Sequence, residues 1–315
     1  MTKSSMQSDH PRPSRAERIA AVQFEPRGLD RLPVRECNLC GASTFVVVTH
    51  EDRYGYAIEA HGCLQCGLVF LNPVLSGPAY QRFYETTYRP LVSAYHGRLI
   101  DASSVQADQR IYAGERADFV EPFLAGRTGG RLLDVGGSTG VVALEFVRRF
   151  EMTGLVLDPS PQELEQAAGH GLETVAGLVE EYEPGSDRFD LILLCQTIDH
   201  LLDIRGTLRK IRSLLRAGGL FYVDIVDFRA GYLRNGSVEA AVKVDHPFYL
   251  TEWTAEAFLA RAGFEVVRKD YAADHLHVGY LCRPAKPVAG ALPDPAVVAG
   301  QWREIRLVQN RMRGG

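Results

Sequence analysis

Short apolar runs alternate with helix-period stretches through the middle of this 315-residue chain. Leu132, Leu133 and Val135 form one run, which meets a glycine turn at Gly136, Gly137 and Gly140. A helical stretch follows, and a second run, GLVLDPS, closes at Asp158. The rhythm repeats in FDLILLCQTIDHLLD (189–203), TLRKIRSLLRAGGLFYVDIV (207–226) and AGFEVV (262–267), and HLHVGYLCRP (275–284) reads as the last strand of a terminal antiparallel pair. This alternation predicts an α/β domain over residues 129–284 with a mostly parallel sheet. Before it, residues 31–74 read as short strands. Residues 75–128 read as a helical connector whose Tyr80, Tyr84, Tyr88 and Tyr95 fall near helical spacing, ending around Arg89–Pro90. The Pro/Ala/Gly stretch after it reads as a linker within 285–315. A basic helix over 296–312 follows, with Arg303, Arg306 and Arg311, and is expected to be solvated or to dock on a partner subunit in a homodimer.

Asp158 stands 24 positions after Asp134. The order strand, glycine turn, helix, strand, acid is how a parallel sheet lays an adenosine-type ligand across its carboxyl edge. Glycine lets the backbone approach a ligand with no Cβ between them, and the acid accepts hydrogen bonds from ribose hydroxyls. A phosphate-cradling loop needs a lysine after its last glycine, and none follows Gly140. A dinucleotide site wants G-x-G-x-x-G, whereas this turn reads GGSTG behind an acid.

The D-x-G-x-x-x-G arrangement from Asp134 to Gly140 resembles motif I of class I S-adenosylmethionine (SAM) methyltransferases, with Ser138 where that family usually has its middle glycine. Phe189 to Asp203 resembles the family's fourth strand and the loop after it, where Asp199-His200 matches a frequent Glu-His pair. The stretch 207–226 resembles its fifth strand and preceding helix, and 245–267 its penultimate helix and sixth strand, so the likeness runs from about Arg131 to Arg283. It implies a Rossmann-like methyltransferase sheet and a SAM site made by Asp134, Gly136, Gly137, Ser138, Gly140, Asp158, Pro159, Leu178, Cys195 and Gln196. Leu178 stands where the family often has an acid for the adenine, which implies backbone and apolar contacts there. Tyr84 or Tyr88 is expected to cap the pocket, since related enzymes carry an N-terminal helical lid; the alternative is packing against the core.

A net charge of −4 gives no field that draws in a nucleic acid. Residues 1–35 hold seven Lys or Arg against four Asp or Glu and are rich in Ser and Pro, so a disordered tail is expected over 1–30. The tail lacks the apolar centre of a signal peptide and no stretch is long enough to span a bilayer, which makes a cytoplasmic protein the expectation.

Four cysteines form two knuckles, Cys37-x-x-Cys40-Gly and Cys63-x-x-Cys66-Gly, separated by 22 residues. Two knuckles make a closed four-thiolate zinc site, here with a hairpin such as 44–61 filling the long gap. Two disulfides or a redox pair are the alternatives, the first disfavoured by a reducing compartment. Such a metal has no open position and stabilises a small domain. The knuckles, the phrase CGLVFLNP and the SAM domain together resemble bacterial zinc-ribbon methyltransferases of deoxysugar and surface-polysaccharide pathways.

Methyl transfer is a displacement at an activated carbon, so the protein positions a nucleophile and removes a proton. His200 after the fourth strand and His246 in DHPFYL are the candidate bases, with Asp245 placed to orient His246. The expected acceptor is a small hydroxylated metabolite, most plausibly an activated or polysaccharide-linked sugar. Two alternatives stand: an RNA methyltransferase with a zinc ribbon, and a non-catalytic partner subunit. The segment 37–73 holds one Arg against Glu51, Asp52 and Glu59, which argues against RNA.

Overall fold

The computed structural model describes residues 13–124 and 129–313. Ser14 caps α1 (Arg15–Ala20), and five short strands follow: β1 (Arg31–Leu32), β2 (Phe45–Thr49), β3 (Ala60–Cys63), β4 (Val69–Leu71) and β5 (Val74–Leu75). Three helices then lead to the large sheet: α2 (Gly77–Thr86), α3 (Tyr88–His96) and α4 (Ala102–Leu124). Pro90 sits in the first turn of α3, where a missing N–H leaves no hydrogen bond unmade.

The main domain runs β6 (Arg131–Val135), α5 (Val141–Phe150), β7 (Thr153–Asp158), α6 (Pro161–Gly169), β8 (Glu173–Ala176) and β9 (Phe189–Leu194). It continues with α7 (Ile204–Leu214), β10 (Leu215–Val226), α8 (Phe228–Asn235), β11 (Phe248–Tyr249), α9 (Glu252–Ala262), β12 (Phe264–Tyr271) and β13 (His277–Pro284). Seven strands form one sheet in the order β12-β13-β10-β9-β6-β7-β8. The five central and distal strands are parallel, and β13 is antiparallel to both β10 and β12. Helices cover both faces, which is why runs such as LILL show no alternation. Leu133, Val135, Ile192 and Leu194 pack with α7 and α9 on one face, while Leu132, Leu191 and Leu193 pack with α4 and α5 on the other. The chain progresses outward from β6 in one direction through β7 and β8, and in the other through β9 and β10. The crevice at the carboxyl ends of β6 and β9 is therefore the switch point where such sheets bind ligands.

A second sheet, β11-β4-β3-β2, carries the cysteines. Its edge strand β11 comes from the main domain: Phe248 pairs with Phe70 and Tyr249 with Val69. The ribbon is thus stitched into the main domain through a shared strand.

Two expectations need correction. Residues 13–30, expected within a disordered tail, form α1 and a short 3-10 turn at Pro26–Gly28. The Ser14–Glu17 capping box satisfies the helix start, Ile19 is buried, and Arg18 Nε donates to the Ala94 carbonyl at 2.8 Å. The rest of that tail, 1–12, lies outside the described residues. The basic C-terminal helix α10 (Pro295–Arg313) is not merely solvated but docks on its own chain. Val298, Gln301, Ile305 and Val308 are buried along one stripe, Gln301 Nε2 donates to the Gly67 carbonyl at 2.8 Å, and the Trp302 ring lies against Gly62.

One buried ion pair ties the layers together. Arg116 of α4 meets Asp224 of β10 at 2.5 Å, with both side chains under 10% exposed. The other oxygen of Asp224 accepts the Gln196 N–H at 2.6 Å, which fixes the loop after β9. Arg116→Met leaves that carboxylate buried without its cation, and should cost about 3–5 kcal/mol in urea denaturation. The double variant Arg116→Met/Asp224→Asn should recover most of the loss, because Asn still accepts from Gln196.

Candidate functional site

The glycine turn closes over the end of β6. Gly136 N donates to the Leu157 carbonyl at 2.7 Å, and at φ +68° any Cβ there would strike Thr197. The turn and the loop after β9 are therefore in direct contact. Ser138 holds φ +52°, a left-handed conformation that explains why glycine suits this place. Its strain is offset by two bonds: Ser138 N donates to Asp158 Oδ2 at 3.0 Å, and Ser138 Oγ donates to Glu163.

Asp134 lies beneath the turn, 1% exposed, and neither carboxylate oxygen has a well-formed hydrogen bond. Burial pushes it up to about 7, against the pull of Arg116 and the Ala143 amide. Asp158 ends β7, accepts the Ser160 N–H at 2.8 Å, and is pushed up to about 6, again by burial. Two buried carboxyls facing one crevice suit a ligand that carries positive charge beside hydroxyl donors, and SAM has both. An orphaned Asp134 and a turn with no room for Cβ at Gly136 fit that cofactor.

Of the other residues expected around the cofactor, Gly137 packs on Asp134, and Gly140 opens α5 at φ +73°. Pro159 is exposed beside Asp158, and Leu178 is half exposed just past β8, where Gly177 N donates to the Asp158 carbonyl at 3.1 Å. Cys195 is partly buried, and burial raises its thiol well above the ordinary range. Gln196, at φ +50°, turns its side chain to His277 at 3.3 Å.

The structure brings His200 and His246 together, with ring centroids 4.3 Å apart. His246 Nδ1 is 2.6 Å from Asp199, and its Nε2 lies 3.3 Å from Asp245 and 3.2 Å from Lys243 Nζ. Both nitrogens are engaged. Burial opposes charge on His246, but Asp199 and Asp245 together outweigh it and its pKa is raised. Burial would likewise raise Asp199 and Asp245, yet His246 holds both below the ordinary carboxylate range. His200 is the opposite case: burial and the neighbouring His246 charge push it down to about 4.

Tyr84 of the α2 helix reaches this cluster and packs with Tyr88 against the core. Its hydroxyl bonds His200 Nδ1 and donates to the Asp245 carbonyl at 3.2 Å, and Tyr80 donates to that same carbonyl. The Tyr84 proton can go to His200 Nδ1 or to the Asp245 carbonyl, and in the second arrangement His200 Nδ1 is the donor to Tyr84. Asp199 stands 4.0 Å from His200 Nε2, beyond hydrogen-bond reach. Tyr88 packs on Tyr84 at 4.9 Å between ring centroids, and the adjacent Arg89 pairs with Glu163 at 2.5 Å, joining the lid to the turn. Asp199, His200 and His246 also offer donor atoms within 4.8 Å of one another, with Asp199 and His246 bonded to each other.

The four cysteines converge: Cys37 Sγ is 3.5 Å from Cys66 Sγ, and Cys40 Sγ is 3.5 Å from Cys63 Sγ, all as free thiols. Each knuckle closes through a glycine amide, Gly41 N to Cys37 O at 2.8 Å and Gly67 N to Cys63 O at 2.9 Å. Four sulfurs around one point, three of them on buried residues, fit a tetrahedral zinc ion. The sequence reading missed Arg116, Asp224, Tyr80 and Lys243; the one available signal was a charge, Asp224, inside the apolar run FYVDIV.

A family model described as a methyltransferase domain matches residues 108–269, about half of the chain. A ubiquinone biosynthesis O-methyltransferase of Methylobacterium sp. (strain 4-46) is 31% identical over 113 residues, which cover 33% of this chain and 43% of that protein. A chloroplastic 2-methyl-6-phytyl-1,4-hydroquinone methyltransferase of Oryza sativa subsp. japonica is 30% identical over 110 residues, 33% of each chain. The chain thus spans less than half the length of these curated relatives. A solved S-adenosylmethionine-dependent methyltransferase from Clostridium acetobutylicum ATCC 824 superposes with a TM-score of 0.45 at 14% identity, covering 66% of this chain and 99% of that one.

The Asp134 carboxyl gives a direct test. It titrates near 7 when folded and near 3.8 when unfolded, so the native state carries a penalty that is absent below about 3.8, grows with pH and is complete above 7. Asp134→Asn removes that penalty. The cofactor-free variant should be more stable than wild type at pH 8, by roughly 1–4 kcal/mol, with the gain shrinking toward pH 4. Melting curves across that range check it, and a pH-independent shift would exclude the burial penalty as the cause.

Proposed function

This chain belongs to the methyltransferase-domain family, and from that premise we propose that it transfers a methyl group from SAM to a small hydroxylated acceptor. What supports the proposal is His200, an imidazole that burial holds neutral, with Nδ1 bonded to Tyr84 and Nε2 4.0 Å from Asp199; we assign the Tyr84 proton to the Asp245 carbonyl, which leaves Nε2 with its lone pair. When bound, SAM supplies a methyl group on an already activated sulfonium. Asp158 would hold its ribose, and Asp134 would face its positive charge. Tyr84 and Tyr88 would close the pocket from above, excluding water.

In this reading His200 Nε2 would take the proton of the acceptor hydroxyl that is to be methylated. The imidazolium so formed lies 4.0 Å from Asp199, whose negative charge stabilises it. His246 is not the base, because both of its nitrogens are engaged; it keeps Asp199 ionised and in place. With Lys243, it also maintains the charge that keeps His200 neutral.

A sugar is the acceptor we favour, on the resemblance to zinc-ribbon sugar methyltransferases. A hydroquinone or catechol is the second reading, because the relatives named above act in ubiquinone biosynthesis or on a phytyl hydroquinone. RNA is disfavoured by the acidic ribbon, where Glu59 sits between His50 and His61. Incubation with methyl-labelled SAM and parallel panels of nucleotide-linked sugars, catechols and transfer or ribosomal RNA tests the choice. Label in sugar or phenol supports the proposal, and label in RNA alone overturns it. Cys37, Cys40, Cys63 and Cys66 would hold zinc in a closed site whose role is to fold the ribbon.

Three outcomes are expected. His200→Ala should lower turnover about 10²–10⁴-fold with SAM affinity nearly unchanged. Because burial and the His246 neighbour hold His200 down at about 4, the wild-type kcat at saturating SAM and acceptor should show no acid limb as pH falls from 8 to 5; a limb near 6.5 under those conditions would identify a different base. Elemental analysis should find about one zinc per chain, and Cys40→Ser should lose it.

A further inference from the structure

The hairpin between β2 and β3 is longer than two knuckles need, and its loop, residues 50–59, reaches the histidine cluster. Asp52 is buried there, 2% exposed. Its Oδ1 accepts the Tyr54 and Tyr56 N–H groups, each at 3.0 Å, which closes the turn locally. Its Oδ2 accepts the Val244 N–H at 3.0 Å, 192 residues away. Arg53 N donates to the Val242 carbonyl at 2.9 Å, a second bond to the same segment. Beyond the second knuckle, Leu71 N donates to the Pro247 carbonyl at 2.9 Å, and β11 pairs with β4. The segment 242–249 therefore hangs on the ribbon at both ends. Lys243, Asp245 and His246 lie between those anchors.

The Asp245 carbonyl is one residue past the Val244 amide, and it lies within hydrogen-bond reach of both the Tyr80 and the Tyr84 hydroxyls. A turn alone would be served by Asn or Ser at position 52. A carboxylate is costly to bury, and its second oxygen is committed to Val244. We infer that Asp52 is a positioning residue for methyl transfer: the ribbon loop fixes the Asp245 carbonyl, the carbonyl takes the Tyr84 proton, and His200 is thereby kept in the tautomer with a free Nε2. The ribbon then does more than stabilise itself, since it sets the proton acceptor of the neighbouring domain. This inference rests on the reading of His200 as the base.

Asp52→Asn in the full-length, metal-bound protein is the selective test. Asn keeps an oxygen for Tyr54 and Tyr56 but turns an amide NH₂ toward the Val244 N–H, so it cuts the cross-link alone. Nitrogen-15 NMR of the histidine rings at pH 7 should show wild-type His200 with its proton on Nδ1, and the variant with both tautomers. Amide exchange at 243–246 should accelerate about tenfold or more, with metal content unchanged and SAM affinity within about twofold, the sign of a local rather than a global effect. Asp52→Ser, which keeps the turn but cannot reach Val244, serves if the Asn variant does not fold. An unchanged His200 tautomer, with or without faster exchange, overturns the inference. These readouts need no acceptor, so they decide the role of Asp52 separately from the turnover of His200→Ala, which decides the base.

Discussion

Two tyrosine hydroxyls, from Tyr80 and Tyr84, converge on the carbonyl oxygen of Asp245, and the polar interior of this protein is arranged around that convergence. A carbonyl has only lone pairs to offer, and its two can accept from both hydroxyls. In the proposed reading that acceptance passes along Tyr84 to His200 and sets which ring nitrogen is the donor. It also ties together three parts of the chain that are distant in sequence: the α2 helix, the loop after β9 and the segment before β11. Moving any of these would leave a buried donor or acceptor unsatisfied, at about 1–3 kcal/mol each.

The charges nearby obey the same economy. Asp199, Asp245, His246 and Lys243 are mutually paired: the two carboxylates raise His246, His246 holds both below their ordinary range, and burial with the His246 neighbour depresses His200. The cofactor side is different. Asp134 and Asp158 are buried carboxyls with raised pKa values and no cation in direct contact. The histidine cluster is thus internally paired, whereas Asp134 and Asp158 have no such partner. In the proposed reading a cationic methyl donor would meet the second pair, and an acceptor that loses a proton would meet the first.

Much of this was legible in the chain itself. The glycine turn, the acid at Asp158 and the cysteine spacing are local patterns, and local geometry follows from them directly. His200 and His246 were legible as candidates, but not their division of labour, because that depends on which neighbours engage each nitrogen. The helix α10 was misread because its arginines are conspicuous, while its buried stripe of Val298, Gln301, Ile305 and Val308 contains a polar residue that breaks the apolar signal. Gln301 is buried because it satisfies a knuckle carbonyl, and no spacing rule reveals a partner 234 residues away. The tail from Ser14 was misread for a related reason: composition describes an average, whereas a capping box and one buried isoleucine suffice to fix a short helix. Asp52 and Arg116 were invisible for want of any local signal. Their partners, Val244 and Asp224, are brought to them only by the fold.

The central claim is that the crevice between the glycine turn and the Tyr84–His200 pair is a SAM site whose buried acid ionises against the cofactor. Calorimetric titration with SAM at pH 7, repeated in buffers of different ionisation enthalpy, tests it most directly. The account predicts one site per chain and a buffer-dependent heat, because Asp134, titrating near 7 without ligand, releases a fraction of a proton on binding. Saturable binding with no proton release would contradict the role of Asp134, and the absence of saturable binding would contradict the site itself.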